Sequence, residues 1–157
     1  MGEEIELKQT IINHFPGLTD DPDFQITSKA DPQYNCIAWA YKYSDRWMQY
    51  GSSYLLDGVV YWWPEGVENS PCIEAYINAF KLRGYYICDN WEHESDYEKI
   101  ALYANEQQEC IHAAREKRNG KWTSKLGKSN DISHNNPYSI EGVHYGKVAC
   151  IMKRKWE

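Results

Sequence analysis

An α+β fold is predicted, with N-terminal helices packed on an antiparallel β meander, and three observations predict it. Helical patterns fill the first half of the chain, over residues 4–14, 36–43 and 70–84. β-type segments then follow one another from Tyr85 onward, and Asn119-Gly120 between two of them is a two-residue hairpin signal, because both turn positions need positive φ. Finally, 157 residues with 42% hydrophobic content suit one core, so a single domain over 1–157 is expected.

In chain order, Ile5, Leu7, Ile11 and Ile12 give a short helix that ends before Phe15-Pro16-Gly17. Residues 18–35, rich in Asp, Pro, Thr and Ser, read as an ordered loop. Cys36 opens Ile37, Ala38, Trp39, Ala40 and Tyr41, apolar nearly all round, so this helix belongs in the core. Residues 54–66 read as a strand or loop that Pro64 ends. Ser70-Pro71 is a helix start with Ser as cap, Ile73, Ile77 and Phe80 are its stripe, and Gly84 closes it. Tyr85–Cys88, 99–105, 110–118, 121–127 and 146–154 are the expected strands.

Composition removes several functions. A net charge of −6 argues against a nucleic-acid binder. Mean hydropathy is −0.76, and no apolar run reaches the ~18 residues of a membrane span, so no membrane partner is expected. Five scattered cysteines, an odd number, read as reduced thiols, and with no CxxC pair neither a metal nor another cofactor is expected. The acidic N-terminus does not read as a secretory signal, so the expected location is cytoplasmic, or outside by export without a cleavable signal. With 13 Tyr and 7 Trp, half-buried aromatics should line a groove.

Cys36 begins its helix, where the free N–H groups favour thiolate and can receive an oxyanion. His112 lies between small strand neighbours, which leave an imidazole room to reach a facing helix. A two-residue turn at Asn119-Gly120 would set His112 opposite Gly127, with Lys125 solvated on the same face. The chain then runs on to Asp131 and His134, and either could orient the imidazole.

The segments YNCIAWAY, IHAAREKRNGKWTSKLG and DISH resemble a group of uncharacterised bacterial domains sharing YNCIAWA, then HAAR with WxSKLG, then DIxH. That pattern is similar to the papain-like cysteine peptidase architecture in its NlpC-type form. The resemblance implies Cys36 as nucleophile, His112 as base, Asp131 or His134 as third member, and an oxyanion donor at Asn35 or Tyr34. Trp39, Trp62, Trp63 and Trp122 are the candidate cleft walls, with core packing the alternative for each. The expected function is a cysteine-dependent amidase or peptidase, or a related transpeptidase or deamidase. Its partner would be a peptide or protein, such as a peptidoglycan peptide met by a bacterial effector, and the loops between residues 44 and 70 would set the choice. The alternative is a non-catalytic immunity or docking module, whose acid charge and aromatics would suit a protein interface.

Overall fold

The computed structural model describes residues 2–51, 54–56 and 58–156. It is an α+β fold built on an antiparallel seven-stranded sheet. Helix α1 (Gly2–His14) leads into β1 (Gln25–Ile26), and α2 (Cys36–Ala40) follows. A small sheet contains β2 (Trp47–Met48), β3 (Tyr54–Leu56) and β4 (Val59–Trp62) in the order β2-β4-β3. Helix α3 (Ile73–Lys81) then precedes β5 (Tyr86–Cys88), β6 (Tyr97–Ala104), β7 (Cys110–Glu116), β8 (Trp122–Lys125), β9 (Asp131–His134) and β10 (Lys147–Lys155). The large sheet has the order β1-β9-β8-β7-β6-β10-β5, and every neighbouring pair in it is antiparallel.

Its two faces carry separate cores because strand side chains alternate. Ile100, Leu102, Ala104, Ala113 and Met152 face α2 and α3, where Ala38, Ala40, Ala79 and Phe80 join them. Ala101, Tyr103, Ala114, Trp122, Ile132 and Ile151 face the other way, toward Ile11 of α1, Phe15, Leu18 and Ile140. Strand β6 is buried from Glu98 to Ala104, so it reads as a near-continuous apolar run. Its two buried charges are both paired. Glu98 takes Lys42 at 2.7 Å, Arg154 at 3.3 Å and the Tyr85 hydroxyl at 2.9 Å, and Lys99 takes Glu94 at 2.7 Å. Burial alone would raise the Glu98 carboxyl, but Lys42, Tyr85 and Arg154 hold it below its ordinary range.

Several boundaries differ from expectation, each for a local reason. The helix predicted over 36–43 stops at Ala40, because Lys42 takes φ 71° and Tyr43 N–H bonds the Ala38 carbonyl at 2.8 Å. Pro71 and Cys72 pair with the β6–β7 turn, through Cys110 N–H to the Pro71 carbonyl at 2.9 Å, so α3 starts later, at Ile73. The stretch predicted over 54–66 is the β3–β4 hairpin, with Asp57 outside the described residues, as are Ser52 and Ser53 of the expected specificity loops. DISH, read as the chain's exit from a strand, is itself β9, with all four residues buried.

The β7–β8 turn needs the largest correction. Lys117 N–H bonds the Lys121 carbonyl at 2.9 Å, Gly120 N–H bonds the Lys117 carbonyl at 2.8 Å, and only Gly120 of the loop has positive φ, at 85°. This is a three-residue loop ending in a glycine bulge, so Arg115 pairs with Thr123 and Glu116 with Trp122. A one-residue change of register swaps faces. Lys125 therefore lies on the α2 side of the sheet, buried, while His112 pairs with Tyr103 and lies on the α1 side.

Candidate active site

Strands β7 and β8 pair only at Arg115–Thr123 and Glu116–Trp122, and beyond that point toward Cys110 and Lys125 they part. Helix α2 lies across this seam, in contact with both strands. Asn35 fixes its start: its Oδ1 accepts from Ala38 N–H at 3.0 Å and Met48 N–H at 3.1 Å, and its Nδ2 donates to the Met48 carbonyl at 3.1 Å. Asn35 thus caps the helix and ties it to β2, which occupies the amide proposed from sequence as an oxyanion donor.

Cys36 is the first helical residue and is 8% exposed. With Asn35, Trp47, Tyr50, Cys110, Gly127 and Tyr145 it lines a cavity of about 290 Å³. Burial pushes its thiol up to about 11, while the N–H groups of Ala113, Ile37 and Cys36 itself and the Lys125 ammonium act in the opposite sense. Around the sulfur, the seam therefore offers donors and a cation to any negative charge that develops there.

Lys125 and Asp131 form a cross-strand pair on this side. Lys125 Nζ donates to the Gly127 carbonyl at 2.8 Å and sits 4.8 Å from the Tyr34 ring centroid. Burial lowers Lys125, while Asp131, Asp31 and Cys36 hold it up. Tyr34 donates its hydroxyl to Asp131 Oδ2 at 2.8 Å, and Asp131 Oδ1 is buried without a hydrogen-bond partner among the described residues. Tyr34 is therefore a phenol bonded to a carboxylate. Burial raises both groups, Tyr34 further through Asp131 and Asp131 in spite of Tyr34 and Lys125.

On the opposite face the fully buried His112 heads a chain of three hydrogen bonds. His134 Nδ1 bonds the Asn136 carbonyl at 2.9 Å, and a carbonyl can only accept, so this nitrogen carries the proton. His134 Nε2 then accepts from the Ser124 hydroxyl at 2.8 Å, and Ser124 Oγ accepts from His112 Nε2–H at 3.1 Å. The sequence of roles leaves His112 Nδ1 as a bare lone pair, and it has no hydrogen-bond partner among the described residues. Burial keeps both rings neutral, holding His134 down to about 4 and His112 well below its ordinary value. The Tyr145 ring covers His112, parallel within 7° at 3.7 Å between centroids.

The sequence-predicted residues therefore fall into two groups rather than one triad. Cys36, Asn35, Tyr34 and Asp131 share the α2 side. His112 and His134 share the other, with no hydrogen bond between Cys36 and His112. His134, acting through Ser124, orients His112, while Asp131 serves Tyr34 and Lys125. None of the four tryptophans named from sequence lines the cavity, and Trp62 instead meets Tyr43 edge-on at 5.3 Å. Trp39 donates its Nε1–H to Thr123 at 3.0 Å under the Arg115 guanidinium, Trp63 meets Tyr76 edge-on at 4.8 Å, and Trp122 is buried in the α1-side core. Trp47, which sequence reasoning passed over, lines it instead. Ser124 and Tyr145 were also missed; the alternation of Trp122, Ser124 and Leu126 was the signal available for Ser124. Among the described residues no three His, Cys, Asp or Glu side chains converge on a metal position, and no helix is long and apolar enough to cross a membrane.

A family model described as a domain of unknown function (DUF7689) matches residues 25–153, a span that includes Cys36, His112 and β9. No curated protein and no solved structure matches the chain.

Proposed function

The chain belongs to this DUF7689 family, and from that premise we propose that it is a cysteine-dependent hydrolase or transferase of amide or related acyl bonds, with Cys36 as nucleophile. The observation that carries the reading is the setting of the Cys36 sulfur, on a cavity wall with the N–H groups of Ala113 and Ile37 and the Lys125 ammonium all favouring negative charge there. We read the architecture as papain-like, with a helix that begins at Cys laid across an antiparallel sheet whose later strands supply His112 and its orienting chain.

In the proposed reaction a base takes the Cys36 proton and the thiolate attacks the acyl carbon. The C–N bond breaks, the amine leaves with a proton, and a thioester forms on the sulfur. Water or a second amine then attacks the thioester and releases the thiolate. His112, neutral with a bare Nδ1, has the protonation state a general base needs. The proposed substrate is a peptide or protein amide, a peptidoglycan peptide among them, and a cytoplasmic origin and an effector role belong to the same reading.

A second reading, a non-catalytic protein-binding module, is favoured by one observation: burial keeps the Cys36 thiol protonated. A thiol-reactive acyl probe separates the two. The wild type should gain one acyl group on Cys36 by intact mass and peptide mapping, and Cys36→Ala should not. Labelling that persists unchanged at another cysteine in Cys36→Ala, or is absent from the native wild type, favours the binding module.

A further inference from the structure

We propose that residues 142–146 form a shutter, with Tyr145 as its blade and the His14–His144 pair as its catch, whose withdrawal joins the Cys36 cavity to the free Nδ1 of His112. This rests on the reading of Cys36 as nucleophile, and it answers the question that reading leaves: how a thiol and a base on opposite faces of a sheet come to share one site.

Four observations support it. Tyr145 belongs to both halves, lining the cavity that Cys36 lines and stacking on His112 at 3.7 Å. The obstacle it covers is a gap, since β7 and β8 have parted at this level and Ala113 N–H already acts through the seam on the Cys36 sulfur. Residues 142–146 are a closed local unit. Gly142 and Gly146 bond one another both ways, at 3.0 and 2.8 Å, and both have positive φ, so the tip can turn on its two glycines with Val143 95% exposed. The tip also has somewhere to go, because its outer side borders an open groove of about 850 Å³ lined by Gly142, Val143, Gly146, Glu106 and Ile111, and Ile111 lines the inner cavity as well.

The catch is made at the end of α1. His14 Nδ1 and His144 Nε2 share a hydrogen bond of 2.9 Å, and Phe15 stacks on Tyr145 at 5.0 Å. One contact is with the residue just before Tyr145 and the other is with the Tyr145 ring itself, so together they hold the ring down from the α1 side. His112 is faced by Tyr103 from β6, Ser124 from β8, His134 from β9 and Tyr145 from the shutter. Cys36 is faced by Lys125, Cys110, Tyr76 and Tyr145. With the ring withdrawn, the one neutral nitrogen base with no partner in this set is open to the cavity. Tyr145 is a positioning residue, and His112 is the group that takes the proton.

The test reads the alkylation rate of Cys36 by iodoacetamide at pH 7.5, resolved from the other cysteines by peptide mass spectrometry. Tyr145→Ala should raise the rate at least tenfold, and His144→Ala, a change at an exposed position, should raise it in the same direction if Tyr145→Ala does not fold. Adding His112→Gln to whichever of these variants is used should remove most of the gain and move the remaining reactivity to higher pH. Unchanged rates in both single variants, or a gain that survives the loss of His112, would overturn the proposal. Acylation of the wild type is read separately. A His112-dependent gain without acyl-enzyme leaves the shutter standing and removes the catalytic reading, and acyl-enzyme without that gain does the reverse.

Discussion

At the scale of single residues, the most consequential feature is a polar chain with no charge in it. His112, Ser124 and His134 are buried, and each hydrogen bond is oriented by the one after it, starting from the Asn136 carbonyl. Removing the Ser124 hydroxyl would leave two ring nitrogens without partners, at a cost of about 1–3 kcal/mol. A histidine kept neutral by burial also couples stability to acid. His134 is held down to about 4 in the folded chain against 6.5 as its ordinary value, so between those pH values the unfolded chain binds more protons. Stability from this group is complete above pH 6.5 and is lost as pH falls toward 4, by up to about 3 kcal/mol. Glu116 acts in the opposite sense: burial pushes it up to about 7, so the folded chain takes up its proton first. The measurement is therefore a difference: urea midpoints at pH 7 and pH 5 should fall less in His134→Gln than in the wild type.

At the scale of elements, one loop residue decides which chemistry meets which. The Asn119-Gly120 dipeptide was legible as a turn, and the strands on either side were legible within two residues. The loop length was not, because Asn119 spends its side chain on Lys121 N–H at 2.9 Å instead of taking positive φ, and only Gly120 does so. That choice put Lys125, with its β9 partner Asp131, on the face of the sheet opposite His112. Strand β9 was missed for a related reason: four residues are too few to show alternation, and its burial comes from β8 and β1 on its two edges. Cys36 was legible at its helix start, whereas Tyr145 was not, since nothing local marks a loop tyrosine as the neighbour of a strand histidine. Gly120→Ala should destabilise the chain by about 1 kcal/mol or more, read as a lower urea midpoint, because an alanine resists φ 85° and its Cβ would stand 3.3 Å from the His93 ring.

At the scale of the whole molecule, the sheet divides the interior into two cores, one on each of its faces. One core was expected where two are found, but the packing of helices on a sheet was legible, since a helix-first, strand-last chain with one apolar helix near its start has few ways to bury it. The placing of chemistry on both faces was not, because it depends on the register of one hairpin. The unzipped stretch between β7 and β8 also has a consequence in time. A sheet bonded along its other strand pairs but open along half of this one does not breathe as a single plate. In native-state hydrogen exchange the Ala113 amide, which has no β8 partner across the seam, should be released by small local openings. The amides of Ile100–Leu102, bonded between β7 and β10, should wait for global unfolding. A protection map would then draw a line of early exchange down the middle of a buried sheet, where its edges would ordinarily be the first to go.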